Sequence, residues 1–166
     1  AADLWVLAVP TTAAGPLLDR AGDRTVVDLS GALKQRQQGR YALLDAHGRL
    51  PDGAPPRRGD RLANPGCFAS AVLVGLQRAG LDKDALHGPL HVAAVGGAST
   101  AHPSQSGGLR LARRLRDHPH ADEVRRATGI DVASFAVSVA YGQPAGILAT
   151  ISGRCDPAAR LTADSQ

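Results

Sequence analysis

Leu4-Trp5-Val6-Leu7-Ala8-Val9 is an uninterrupted apolar run closed by Pro10. A run so short and so apolar predicts a buried strand of a parallel sheet. Thr11 to Arg20 predicts a helix entered through Thr11-Thr12, with Leu17 and Leu18 on its inner face. Thr25-Val26-Val27-Asp28-Leu29 predicts a second strand. Strand, helix and strand on short links form the unit of a doubly wound sheet. Such sheets take ligands at the carboxyl ends of their strands, here Pro10-Thr11-Thr12 and Asp28-Leu29-Ser30.

Residues 31–60 are polar and contain Gly53-Ala54-Pro55-Pro56, which predicts mostly loop. Ala69 to Leu76 predicts a buried helix, although its valines soften the signal. Leu90 to Val95 predicts a strand, and Gly96-Gly97-Ala98-Ser99-Thr100 opens a Gly/Ser-rich loop running to Gly107-Gly108. Leu109, Leu111 and Leu115 with intervening arginines suggest an amphipathic helix to Arg116. Asp122 to Thr128 predicts another helix, closed by Gly129. Val132 to Val139 and Ala145 to Ser152 predict two strands able to pair as neighbours. The first half therefore expects α/β structure and the second α+β; no internal repeat is evident.

The 166 residues suffice to bury a core in one domain or two small ones. No methionine occurs, even at position 1, so an excised or processed piece of a longer protein is expected. Apolar residues make up 43% and aromatics 3%, a mixture ordinary for a GC-rich genome. No apolar run approaches the roughly 18 to 20 residues of a membrane span, and the start lacks a basic signal-peptide region. Two cysteines, Cys67 and Cys155, form no disulfide framework, and a reducing cytoplasm is the expected location. A formal charge of +4 favours anionic partners. The arginine clusters lack interleaved aromatics, so a phosphorylated small molecule or dinucleotide is expected and nucleic acid is not.

Asn64-Pro65-Gly66-Cys67-Phe68 sets a cysteine where a turn hands over to a helix. Free backbone N–H groups and the positive end of the helix dipole stabilise a thiolate there. Two readings stand, a nucleophile and a buried structural cysteine. His118-Pro119-His120 lies just before the predicted helix at Asp122. A histidine paired with such a thiol takes its proton and later protonates an oxyanion; the alternative is an exposed turn. Ligand spacing for a metal is missing, and none is expected. Residues 96–108 could cradle an anion with backbone amides or merely connect. Cys155, His47, His87, His91 and His102 receive no role.

Ala63-Asn64-Pro65-Gly66-Cys67-Phe68 resembles the active-site cysteine motif of the N-acetyl-γ-glutamyl-phosphate reductase family, within the semialdehyde dehydrogenase superfamily. Further segments resemble it in order: Leu4 to Pro10, Val27-Asp28-Leu29-Ser30, Leu50-Pro51-Asp52, His118-Pro119-His120 before Asp122-Glu123-Val124, and Gly146-Ile147-Leu148-Ala149-Thr150. The resemblance implies the C-terminal part of a Rossmann-like nucleotide-binding domain over residues 1–64. A semialdehyde-dehydrogenase-type catalytic and dimerisation domain, incomplete, would occupy residues 65–166. It implies reduction of an acyl phosphate by NADPH through a cysteine thioester, as in arginine-type amino-acid biosynthesis. Cys67 would be the nucleophile, and of His118 and His120 one the acid/base and the other a substrate-orienting group. Asn64, Lys34, Ser99 and Ser106 would meet a phosphorylated N-acyl amino acid; Pro10, Thr11 and Ser30 would meet NADP. A homo-oligomer is expected.

Several positions depart from the family pattern. The Gly-rich dinucleotide fingerprint is absent, as is the family's C-terminal segment. Ser70 replaces a threonine, Ser138 lies in a strand without its Pro-His, and Ala145 replaces an arginine. An isolated chain inactive in hydride transfer is therefore expected. A non-catalytic oligomerisation or regulatory module of the same fold is the alternative, and a nucleotide-independent thiol acyltransferase or hydrolase a third. The basic stretch from Leu109 to Arg116 could dock an acidic carrier protein, with solvated arginines the simpler account.

Overall fold

The computed structural model describes residues 3–43, 50, 53–100, 109–111 and 118–155. The chain divides into two units, Ala1–Pro65 and Gly66–Gln166. The first is an α/β unit with an all-parallel sheet, and the second packs helices against a mixed sheet.

In the first unit β1 (Leu4–Leu7), β2 (Thr25–Asp28), β3 (Arg40–Tyr41) and β4 (Arg61–Ala63) pair in the order β1-β2-β4-β3. All three pairings are parallel, with Leu7 opposite Asp28 and Asp28 opposite Ala63. Parallel neighbours need a crossover, and α1 (Thr11–Arg20) supplies the one between β1 and β2. Its Ala14 and Leu18 pack with Leu7, Val26 and Ala63 from the sheet and with Ala32 and Leu33 of α2 (Ala32–Gln35).

The expected strand over Leu4–Val9 is shorter and less buried than its sequence implies. It lies at the sheet edge, where Leu4 and Val6 are 53% and 57% exposed. The region 31–60, expected as mostly loop, contains α2 and β3, both too short to show a period.

That connection is closed by charge. The Arg40 guanidinium donates to Asp60 and to the carbonyls of Ala54 and Pro55. The Arg57 amide donates to the same carboxylate at 2.7 Å. This amide first, and the Arg40 guanidinium after it, hold the Asp60 carboxyl below its ordinary value. A depressed carboxyl stabilises the fold above its unfolded pKa, about 3.9, and loses that stabilisation as pH falls toward the folded value. Asp60→Asn is therefore expected to lower the denaturation midpoint near neutrality, with the gap to wild type narrowing below about pH 4. A gap constant with pH in urea titrations at low salt would show that the carboxylate charge contributes nothing.

In the second unit β5 (Leu90–Gly97), β6 (Leu109–Leu111), β7 (Val132–Ala140) and β8 (Ile147–Ser152) form a sheet in the order β6-β7-β5-β8. β5 runs parallel to β7 and antiparallel to β8, and β6 runs antiparallel to β7. Helices α3 (Cys67–Arg78) and α4 (Pro119–Thr128) contribute Phe68, Ala69, Val72, Leu73, Leu76, Ala121 and Val124 to the core. Sheet residues Val92, Ala94, Phe135 and Val137 are buried with them. On the alternate positions of β5 and β8, Val95 and Leu148 are exposed.

Three expectations are corrected here. β7 and β8 do not pair with each other; both flank β5, whose eight residues offer hydrogen-bonding edges to each. Gly96 and Gly97, expected to open a loop, finish β5. Gly97 permits close passage of the 141–146 turn, since a Cβ there would lie 2.8 Å from the backbone of Ala145. Leu109–Leu111, expected as the start of a helix, is strand β6, paired with residues 138–140. A spacing of two is the strand period, and the pairing with β7 confirms the strand. Residues 112–116 lie outside the described residues.

Candidate active site

Helix α3 begins at Cys67, with Gly66 as its N-cap in an extended conformation. Phe68, Ala69, Val72, Leu73 and Leu76 recur at helical spacing on its buried side. Of its two valines, Val72 packs into the core and Val74 faces out. Cys67 is exposed, and its thiol stands on the first turn, where backbone N–H groups are not consumed by intrahelical bonds.

The N-terminus of α4 meets this turn. Both histidines are closer to the helix than expected: His118 is its N-cap and His120 lies in its first turn, because Pro119 suits the first helical position. The two rings have different work. His118 Nδ1 accepts the His120 backbone amide at 3.3 Å, which places any ring proton on Nε2. Its ring stacks on Phe135 with centroids 5.1 Å apart and planes 11° apart, and lies 4.9 Å from the His120 ring. His120 instead presses its Nε2 edge against Gly66, so that a Cβ on Gly66 would collide with it. Phe68 packs on the same ring at 5.6 Å.

Glu123, one turn further along α4, completes the junction. The residue is 6% exposed, and its carboxylate accepts the Gly66 amide at 2.8 Å. The Gly66 carbonyl accepts both Ser70 N, at 2.8 Å, and Ser70 Oγ, at 2.9 Å. The residue preceding the thiol is thus held at both its backbone groups. No role for Glu123 was read from the sequence; the available signal was its spacing of three from His120, which puts both on one helix face.

The remaining expected site residues are dispersed. Pro10 caps α1, and Thr11 Oγ1 donates to the Ser30 carbonyl. Ser30 Oγ and its amide both donate to the Asp28 carboxylate, which is fully buried and also accepts Leu33 N at 2.8 Å. Asp28 therefore organises the turn into α2, which carries Lys34. Asn64 donates its amide to the Asp28 carbonyl and its Nδ2 to the Pro65 carbonyl. Ser99 is exposed in a 3₁₀ turn, Ala98–Thr100. The amides of Gly97, Ala98 and Ser99 bond to the carbonyls of Gly146, Gln143 and Pro144, so of the two readings of residues 96–108, anion cradle or plain connection, the cradle is already filled at these three positions. Ser106 lies outside the described residues, as do Pro51 and Asp52. Among the described residues no three His, Cys, Asp or Glu side chains converge as metal ligands, and no helix is long and apolar enough to cross a membrane.

Comparison with known proteins finds partial sequence similarity to three of them. Two N-acetyl-gamma-glutamyl-phosphate reductases are similar to it in sequence. The one from Salinispora tropica is 34% identical over 100 residues, covering 55% of this chain and 30% of the relative. The one from Salinispora arenicola is 30% identical over 173 aligned positions, covering 91% of this chain and 51% of the relative. "Protein arg11, mitochondrial" of Schizosaccharomyces pombe is 30% identical over 134 residues, 75% of this chain and 15% of that protein. The chain thus spans about half, or less, of the curated relatives it matches. No family profile matches the chain.

Proposed function

We propose that the chain is the cysteine-bearing part of an N-acetyl-γ-glutamyl-phosphate reductase, an oxidoreductase of arginine biosynthesis. The observation that carries this reading is the meeting of His120 with the residue before Cys67, inside a chain similar to two reductases of that name.

The residues then act as follows. Cys67 loses its proton to His120 and attacks the acyl carbon of the phosphorylated substrate. The sulfur–carbon bond forms as the carbon–oxygen bond to phosphate breaks, and His120 returns the proton to the departing phosphate. The acyl group remains as a thioester on Cys67. NADPH, when bound, supplies the hydride that converts this thioester to the aldehyde and frees the thiolate. His118, spent on capping α4 and stacking on Phe135, holds His120 in place, and the acid/base assignment falls to His120.

The fit of the first unit to NADP is partial. Thr11 and Ser30 spend their hydroxyl protons within the fold, and Ser30 Oγ also accepts the Ala32 amide at 3.2 Å, so these oxygens offer only their remaining lone pairs. Such a pair accepts from an amide and fits the carboxamide end of a nicotinamide dinucleotide beside Pro10. The β1–α1 turn, Ala8-Val9-Pro10, carries no glycine with which to approach a diphosphate. Lys34 and Asn64, with Ser99 and Ser106, remain the proposed contacts for the phosphorylated N-acyl substrate. Homo-oligomerisation belongs to the same reading.

In the full-length protein that carries the chain, phosphate-dependent NADP⁺ reduction with N-acetylglutamate semialdehyde tests the assignment. His120→Gln is expected to lower kcat by about a hundredfold or more and to flatten the acidic limb of the pH profile. His118→Phe keeps the stack and is expected to cost less than about tenfold, with its pH profile unchanged. If the two variants exchanged these outcomes, the roles would be reversed; no turnover by wild type would end the reading.

A further inference from the structure

We infer that Glu123 is a positioning residue for Cys67, acting through the Gly66 amide; the inference rests on the reading of Cys67 as nucleophile. Helix α3 opens without any side-chain cap of its own, because Gly66 occupies the N-cap and Ala69 the third helical position. In a capping box that third residue is a glutamate or glutamine whose side chain reaches back to the N-cap amide. Ala69 has nothing to reach with. The acceptor comes instead from another helix: Glu123 of α4 takes the Gly66 amide at 2.8 Å.

The choice of a buried carboxylate has a physical consequence. Glu123 is 6% exposed, and burying a carboxylate is costly unless it is held by donors. A charge-assisted bond to a backbone amide is also roughly twice as strong as a neutral one. Ser70 fixes the carbonyl side of Gly66 from within α3, while Glu123 fixes the amide side from α4. His120 abuts the same glycine from one turn earlier on α4. One helix therefore sets both the acid/base edge and the start of the helix bearing the thiol. The register of Cys67 to His120 depends on this cap and not on α3 alone.

The test is thiol alkylation in the chain itself, resolved by mass spectrometry, with exposed Cys155 as internal reference. Glu123→Ala removes the acceptor and is expected to slow iodoacetamide labelling of Cys67 about tenfold relative to Cys155, since the frayed turn no longer holds the thiol where the Gly66 cap sets it. Glu123→Gln keeps an acceptor for Gly66 and is expected to stay within about twofold of wild type. Glu123→Asp, one methylene short, is expected to behave as alanine does. Circular dichroism identifies a variant that fails to fold, and the aspartate variant then decides. Unchanged Cys67 labelling in a folded alanine or aspartate variant, or a glutamine variant as slow as alanine, would overturn the inference. Activity surviving Cys67→Ala would instead overturn the nucleophile assignment, leaving the labelling result to stand by itself.

Discussion

Cys67→Ala is expected to lower phosphate-dependent NADP⁺ reduction in the full-length protein by at least about a thousandfold, because a covalent route has no substitute once its nucleophile is gone. The stability change should be small, within about 0.5 kcal/mol, since the cysteine is exposed. This separates catalysis from folding: activity vanishes while the thermal transition stays in place. Cys67→Ser should recover little, because a serine hydroxyl ionises far less readily than a thiol at a helix start. Cys155→Ala serves as control and should retain wild-type turnover; that residue lies beyond β8, in an isolated bridge with Leu86. Activity persisting in Cys67→Ala would favour a non-catalytic module, and thioester hydrolysis without NADP would favour a hydrolase.

The features legible in the sequence were those with a local cause. Pro65 and Gly66 end one segment, and the apolar spacing from Phe68 to Leu76 begins another, so the start of α3 at Cys67 needed no tertiary information. The stop at Gly129 was equally local, because the helix ends on a residue with φ of 72° that glycine adopts freely. Partners along the sheets were not local. β1 reads as buried because it is apolar throughout, yet its exposure is decided by its place at the edge. β7 and β8 adjoin in sequence but both pair with β5, whose two edges bond to one strand each, so the partner of either is not its neighbour in the chain. Leu109–Leu111 shows no strand alternation longer than three residues, and only β7 makes it one. At the site, the cysteine and the histidine pair were visible as residue types at a turn and a helix start. Glu123 was hidden because its partner is a backbone amide 57 positions away, a contact with no side-chain signature. The division of labour between His118 and His120 was hidden for a similar reason. It depends on Phe135 claiming one ring and Gly66 admitting the other.

Gly66→Ala is expected to cut kcat by about a hundredfold, the largest effect of any substitution outside the reacting side chains. The backbone is not the reason. Gly66 has φ of −70° and ψ of 146°, a conformation open to any residue. Space is the reason, because a Cβ at this position would run into the His120 imidazole edge and lie 2.9 Å from Glu123 Oε1. Neither neighbour can yield easily. The His120 ring is enclosed by Phe68, His118 and Phe135, at centroid distances of 5.6, 4.9 and 6.0 Å. The Glu123 carboxylate is held by the amide of the substituted residue itself. The added methyl therefore moves α3 relative to α4, costing about 1–3 kcal/mol of stability as an overpacking change and misaligning the thiol with its proton acceptor. A double-mutant cycle separates the two consequences. Gly66→Ala with His120→Ala opens room for the methyl, so the combined stability loss should be smaller than the sum of the single losses. Turnover should not return, because the proton acceptor is gone. Additive stability losses, or wild-type kcat in Gly66→Ala, would mean that the imidazole does not rest against this glycine in solution, and the pairing of His120 with Cys67 would fail with it.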